Sequence, residues 1–274
     1  MKTKWQATAN SAEEFATFIN SAPEQALLVF DFDGTLSEIV PNPPDARIVE
    51  ASAEAIDRLA ARGVRVAVIS GRPATTLLEL SGARGRPGFS RAIIFGHYGA
   101  ERVDLETGIE SFPAPPEGVG QARDALAPIA KRYPGAHLED KGLAVALHLR
   151  QSENPAEAFK EVESEVREIA QNAGLDVEPG RYVWELRAAD ADKGQALTTL
   201  LDELRPEAVM FAGDDLGDLP AFRALQESSI PAVKCAVVSA SSEALELHDL
   251  ADVLCEGPRG VASWLWHLAN KVED

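Results

Sequence analysis

Apolar and polar positions fall into a repeating order from residue 27 onward. The run Leu27-Leu28-Val29-Phe30 is short and wholly apolar, the pattern of a strand buried on both faces. In residues 46–63, Val49, Ala53, Ile56 and Leu59 or Ala60 recur at helical spacing, and Gly63 supplies a C-terminal stop. Residues 64–70 predict a second strand ending at Ser70-Gly71-Arg72, after which Pro73 reads as a first helical residue. Residues 91–96 predict a third strand. Strands alternating with helices imply an α/β fold with a doubly wound parallel sheet.

The rhythm changes near residue 111. "FPAPPEG", residues 112–118, reads as a linker. Beyond it come a helix over 119–132, two strands around a tight turn in "HLEDKGLAVALHLR", a long helix over 155–174 and a second hairpin in "LDVEPGRYVWELR". Helix and hairpin twice over predict a small α+β domain with an antiparallel sheet. From about residue 188 the first rhythm returns: helix 193–204, strand 208–213, helix 219–227, strand 232–238 and a closing helix over 260–271. The expected organisation is a core domain in two parts, 1–111 and 188–274, with an inserted cap domain over 112–187 joined through "FPAPPEG" and "RAADAD".

Composition narrows the class. The 274 residues are 45% hydrophobic, enough for a sizeable core. No apolar run approaches the roughly 20 residues that span a bilayer, and "MKTKWQATANSAEEF" has no apolar segment of a signal peptide. Cys235 and Cys255 cannot make a disulfide framework and are expected to be buried thiols in a cytoplasmic protein. A formal charge of −18 disfavours sequence-independent nucleic-acid binding. It permits a small anionic substrate at a locally positive site.

Ligands of a parallel open sheet bind beyond the carboxyl ends of its strands. The polar residues at those ends are Asp31 and Asp33, Ser70 and Arg72, and Asp214 and Asp215 with Asp218 nearby, while Lys193 opens the helix before the strand that ends at Asp214. An Asp33-Gly34 turn leaving the core is the simpler reading of the first pair. Taken together, the residues favour carboxylates sharing a cation. Like charges ~4 Å apart repel by roughly 4 kcal/mol at an effective dielectric of ~20. An all-oxygen set without His or Cys points to Mg²⁺. Calcium is the alternative, but "DFDGTLSEIVPN" lacks the twelfth-position glutamate of an EF-hand.

"DFDGT", "SGR", "KG" and "GDDLGD" resemble, in order, the four motifs of the haloacid dehalogenase superfamily of phosphotransferases. "FGHYGAE", "LEDKGLAVALHLR" and "VWELRAADADKGQAL" resemble segments of trehalose-6-phosphate phosphatases, over about residues 26–270. His97-Tyr98 departs from the Asn-His more usual there. The resemblance implies an Mg²⁺-dependent phosphatase releasing trehalose and phosphate. Asp31 would be the nucleophile, Asp33 the acid and base, and Lys193 the neutralising cation; Ser70, Gly71 and Arg72 would bind phosphate. The metal would be held by Asp31, Asp33 (through its backbone carbonyl), Asp214 and Asp215. Asp218 would orient Lys193, meet the metal through water, or cap the next helix.

Glu101, Glu139, Lys141, His148, Arg150 and Glu185 are candidates for sugar recognition. Strict alternation in "GLAVALHLR" puts His148 and Arg150 on one sheet face with Ala144 and Ala146, and Leu143, Val145, Leu147 and Leu149 on the other. The expected partner is a small sugar phosphate, with no nucleic acid and no membrane; a transient contact with a trehalose-phosphate synthase is the macromolecular partner the resemblance suggests. Competing readings are a phosphatase or phosphomutase for another sugar phosphate, such as sucrose phosphate or mannosylphosphoglycerate, and a non-catalytic phosphosugar-binding domain.

Overall fold

The computed structural model describes residues 4–180, 182–188, 191–229, 232–239 and 245–270. Arg181 in the second predicted hairpin, Ala189 and Asp190 in "RAADAD", and Lys271 of the closing helix lie outside them. The chain divides into two compact units, residues 113–191 and the flanking 1–112 with 192–274. Strands β1 (Trp5–Ala7), β2 (Ala26–Phe30), β3 (Arg65–Ile69), β4 (Ile93–Gly96), β5 (Glu101–Asp104) and β6 (Glu110–Ser111) precede the smaller unit. Strands β7 (His137–Asp140), β8 (Ala144–His148), β9 (Asp176–Gly180) and β10 (Val183–Arg187) form its sheet, and β11 (Ala208–Gly213), β12 (Val233–Ser239) and β13 (Val253–Cys255) follow it. The helices are α1 (Asn10–Ser21), α2 (Glu50–Ala61), α3 (Ala74–Ser81), α4 (Glu117–Arg132), α5 (Pro155–Glu161), α6 (Glu163–Ala173), α7 (Lys193–Leu204), α8 (Leu219–Glu227) and α9 (Gly257–Asn270).

The sheet of the larger unit runs β1-β13-β12-β11-β2-β3-β4-β5-β6. Pairing is parallel from β13 to β4 and antiparallel at the margins, where β1, β5 and β6 lie. Alternate residues of each central strand serve opposite faces. Leu28, Phe30, Val66, Val68, Met210 and Val237 pack with Phe15 of α1, Ile56 of α2 and Trp264 of α9. Leu27, Val29, Ile69, Phe211 and Val238 pack with Leu197 and Leu200 of α7 and Phe222 of α8. Helices on both faces explain why β2 reads as an uninterrupted apolar run. This is a doubly wound α/β architecture.

In the smaller unit the antiparallel sheet β7-β8-β10-β9 carries its helices on one face. Val145, Leu147, Trp184 and Leu186 pack there against Val119, Leu126 and Ile129 of α4 and Val166 of α6. Pro179 sits in β9 at the sheet edge, where its missing N–H costs no ladder bond.

Three local expectations change. The 155–174 helix divides into α5 and α6 at Val162. Pro73 stands one residue before α3, in extended backbone, rather than within it. The two- to four-residue strands β1, β5, β6 and β13 are too short for a pattern of two to register; β5 and β6 form in tight antiparallel pairings beside β4, and β1 forms only by pairing with the distant β13.

Candidate active site

Strand β2 ends at Phe30 and the next residue is Asp31, whose amide still continues the ladder by donating to Ala212 O at 2.8 Å. The neighbouring strand β11 ends one residue before Asp214. Because Phe30 pairs with Ala212, the two carboxylates emerge side by side. Gly34 adopts φ +76°, and a Cβ there would run into the Asp214 carboxylate, so glycine lets Asp214 press against the turn that carries Asp31 and Asp33.

Lys193, the first residue of α7, sends its ammonium between two carboxylates, with Nζ 2.7 Å from Asp31 Oδ1 and 2.7 Å from Asp218 Oδ1. The other oxygen of Asp218 accepts from the amides of Asp214 at 2.9 Å and Asp215 at 3.2 Å. Asp31, Asp214 and Asp218 each offer an oxygen to a group whose atoms lie within 4.8 Å of one another, and all three are buried.

The charge balance is unfavourable. Burial pushes the Asp31 carboxyl well above its ordinary range against the pull of Lys193, and Asp218 and Asp215 add to the rise. Burial, then Asp31, Asp218 and Asp215, drive Asp214 up to about 10. Burial alone would lower Lys193, but Asp218 and Asp31 outweigh it and hold the ammonium charged. One ammonium cannot balance the clustered carboxylates, so the protein alone retains a proton among them. An all-carboxylate donor set that is short of positive charge fits a hard divalent cation.

The phosphate candidates Ser70, Gly71 and Arg72 follow β3. Ser70 is buried and its Oγ accepts from the Arg72 amide at 3.3 Å. The Arg72 guanidinium grips Asp33 at two points, 2.5 and 2.7 Å, and also donates to Pro43 O at 3.0 Å. The Asp33 side chain therefore stands outside the carboxylate group. So does exposed Asp215, whose Oδ1 accepts from the Gly217 amide at 2.9 Å. Asp218 is the member whose place was left open in the sequence; it orients Lys193 and also completes a capping box with Asp215.

On the helix-free face of the smaller sheet, register aligns Glu139, Ala146, Glu185 and Glu178 across four strands. Each carboxylate meets a cationic or ring partner. His148 Nε2 lies 2.8 Å from Glu139, Lys141 Nζ bonds Glu185 Oε2, and Arg187 reaches Glu178 at 3.0 Å. Glu185 is buried, and its second oxygen has no hydrogen-bond partner among the described residues. His137 stacks on His148 with ring centroids 4.6 Å apart. Arg150 lies two residues beyond β8, exposed.

A sequence model described as trehalose-phosphatase matches residues 29–252. The chain belongs to this family. A trehalose-phosphate phosphatase of Mycobacterium tuberculosis (strain ATCC 25618 / H37Rv) is 33% identical over 222 residues, covering 76% of this chain and 54% of the relative. One from Mycobacterium marinum is 32% identical over 256 residues, covering 89% and 61%. The chain thus spans little more than half the length of these relatives. Among solved structures, the C-terminal domain of trehalose-6-phosphate phosphatase from C. albicans superposes with TM-score 0.76 at 20% identity, covering 96% of this chain and 98% of that one. At that identity the likeness shows the fold.

For this trehalose-phosphatase family member, sequence reasoning did not single out Glu178, Arg187 or His137. The alternation of β7 already carried a signal for His137, which shares a face with Glu139. Arg187 and Glu178 become neighbours only through the β9–β10 pairing. Glu101, expected at the sugar, has its Oε2 on the Ala74 amide at 2.6 Å, at the start of α3.

Proposed function

We propose that the protein hydrolyses trehalose 6-phosphate to trehalose and phosphate through a phosphorylated Asp31. The observation that carries this reading is the buried Asp31 carboxylate, mounted at the end of a central strand with the Lys193 ammonium 2.7 Å away. Family membership and the identity to trehalose-phosphate phosphatases support the substrate. The Asp31 and Asp214 carboxylates and the Asp33 carbonyl are the groups to hold Mg²⁺, with Asp215 and Asp218 orienting Lys193 or acting through water. When bound, the ion supplies positive charge against the phosphoryl oxygens.

Asp31 attacks phosphorus, an O–P bond forms to its carboxylate, and the bond from phosphorus to the sugar oxygen breaks. Asp33 protonates that leaving oxygen and later takes a proton from the water that cleaves the aspartyl-phosphate. Arg72 now occupies both Asp33 oxygens, so this ion pair has to open for Asp33 to act. Lys193 and the Ser70 hydroxyl steady the transferring oxygens. Glu139, Lys141, His148, Arg150 and Glu185 recognise the sugar. The unpartnered Glu185 oxygen supports that role, since a buried acceptor gains most from a ligand hydroxyl.

No helix among the described residues is long and apolar enough to cross a membrane. The proposed setting is the cytoplasm, with a transient contact to a trehalose-phosphate synthase. Phosphate release is measured with Mg²⁺ on trehalose 6-phosphate, sucrose phosphate, mannosylphosphoglycerate and an aryl phosphate. The reading requires trehalose 6-phosphate to be turned over with the highest kcat/KM, and the activity to vanish in EDTA and return with Mg²⁺. Preference for another sugar phosphate would transfer the assignment to it, and no turnover of any would leave a phosphosugar-binding domain.

A further inference from the structure

The segment Ser70–Ala74 is tied at three alternate residues to the stretch that follows β4. The Tyr98 amide donates to Ser70 O at 2.9 Å and the His97 amide to Arg72 O at 3.0 Å. The Ala74 amide donates to Glu101 Oε2 at 2.6 Å, while the other oxygen of Glu101 lies 3.9 Å from His97 Nε2. His97 and Tyr98 make these bonds from left-handed backbone, φ +46° and +60°. Two successive side-chain-bearing residues seldom do so, and such strain persists where the surroundings over-determine it.

The glycines on either side fit this arrangement. A Cβ on Gly71 would come within 2.7 Å of the Tyr98 phenol carbon and oxygen, so the ring lies against the loop where only glycine leaves room. A Cβ on Gly96 would collide with the Ala74 amide and the Glu101 carboxylate. The Glu101 side chain is 13% exposed. One of its oxygens is committed to a main-chain donor two residues beyond Arg72.

We propose that Glu101, with the His97-Tyr98 turn, is a positioning residue for the phosphate loop Ser70-Gly71-Arg72, not a sugar-binding residue. The assignment rests on the phosphatase reading for what the loop holds. A carboxylate bonded to the amide that opens α3 fixes where the helix begins, and with it the direction in which Arg72 leaves the loop. Its loss loosens phosphate recognition whatever the leaving group is. A sugar contact, by contrast, matters only to substrates that carry the sugar.

The test compares Glu101→Ala and Glu101→Gln on trehalose 6-phosphate and on 4-nitrophenyl phosphate, with the inhibition constant of orthophosphate and circular dichroism as companions. Loss of a charge-assisted hydrogen bond predicts a fall of about tenfold or more in kcat/KM for Glu101→Ala. The fall is expected to be the same on both substrates, with orthophosphate inhibition weakened in step. Glu101→Gln, which keeps an oxygen for the Ala74 amide, recovers most of the loss.

Ala74→Pro removes the same bond from the donor side, at a first helical position whose preceding residue is already extended, and reproduces the alanine phenotype if Glu101→Ala does not fold. A loss confined to trehalose 6-phosphate, or no loss on either substrate, overturns the proposal, as does a folded Glu101→Gln no better than alanine. If the wild type hydrolyses only the aryl phosphate, the trehalose assignment fails and the aryl and orthophosphate arms still decide Glu101. If it hydrolyses neither, calorimetric orthophosphate affinities of wild type and variants decide it.

Discussion

Replacing Asp214 by asparagine should stabilise the metal-free protein, although it removes a buried residue from the centre of the site. The Asp214 carboxyl is raised from 3.8 to about 10, so at neutral pH the folded chain holds a proton that the unfolded chain has released. A raised carboxyl contributes stability that is fully present below its unfolded value and is lost as pH climbs toward its folded value. The window is therefore about pH 4 to 10. At roughly 1.36 kcal/mol per pH unit, the penalty at pH 7 is about 4 kcal/mol relative to a group that never ionises. An asparagine amide introduces donors that the site does not pair, at a cost of about 1–3 kcal/mol. The net expectation at pH 7 is a gain of about 1–3 kcal/mol. Denaturant unfolding in EDTA from pH 5 to pH 8 measures it, and the difference reports Asp214 together with Asp31, which titrates with it. The advantage of Asp214→Asn should grow by roughly 1.4 kcal/mol per pH unit, within the uncertainty of two fits. Mg²⁺ should raise the melting temperature of the wild type and leave the variant unmoved. A variant less stable than wild type at pH 8 in EDTA, or a difference that does not change with pH, would refute the electrostatic account of the carboxylate group.

Asp31→Asn should abolish turnover while circular dichroism stays native, because an amide cannot form the acyl-phosphate; turnover near the wild-type rate would remove Asp31 from its role. Lys141→Ala and Glu185→Ala should each lose at least about tenfold in kcat/KM for trehalose 6-phosphate, the worth of a charged hydrogen bond, and keep most activity on an aryl phosphate. Equal loss on both substrates would place these residues in folding or chemistry. Burial pushes both thiols, Cys235 and Cys255, above the ordinary range. A water-soluble disulfide reagent at pH 8 should leave both unmodified until the protein unfolds, and rapid native-state labelling would contradict their placement in the core.

The elements that depend on near neighbours along the chain are legible in the amino-acid sequence alone. The run Leu27–Phe30, the helical spacing from Val49 and the antiparallel alternation around Ala146 are each encoded within a few residues, and the strand ends mark Asp31, Ser70 and Asp214 as candidates. What tertiary structure decided is which of these ends meet. Asp214 lies beside Asp31 because β11 pairs with β2, a contact across more than 170 residues of chain that no local pattern specifies. The same holds for the edge strand β1 on β13. Asp218 lay in a recognised motif, yet only the folded chain shows one carboxylate bridging the Lys193 ammonium and two backbone amides. Glu101 shows the same limit. The family resemblance placed it among the sugar candidates, and only the folded chain shows its Oε2 on the Ala74 amide. Periodicity is a local property of the chain, whereas the partner of a buried polar group is chosen by which strands lie side by side.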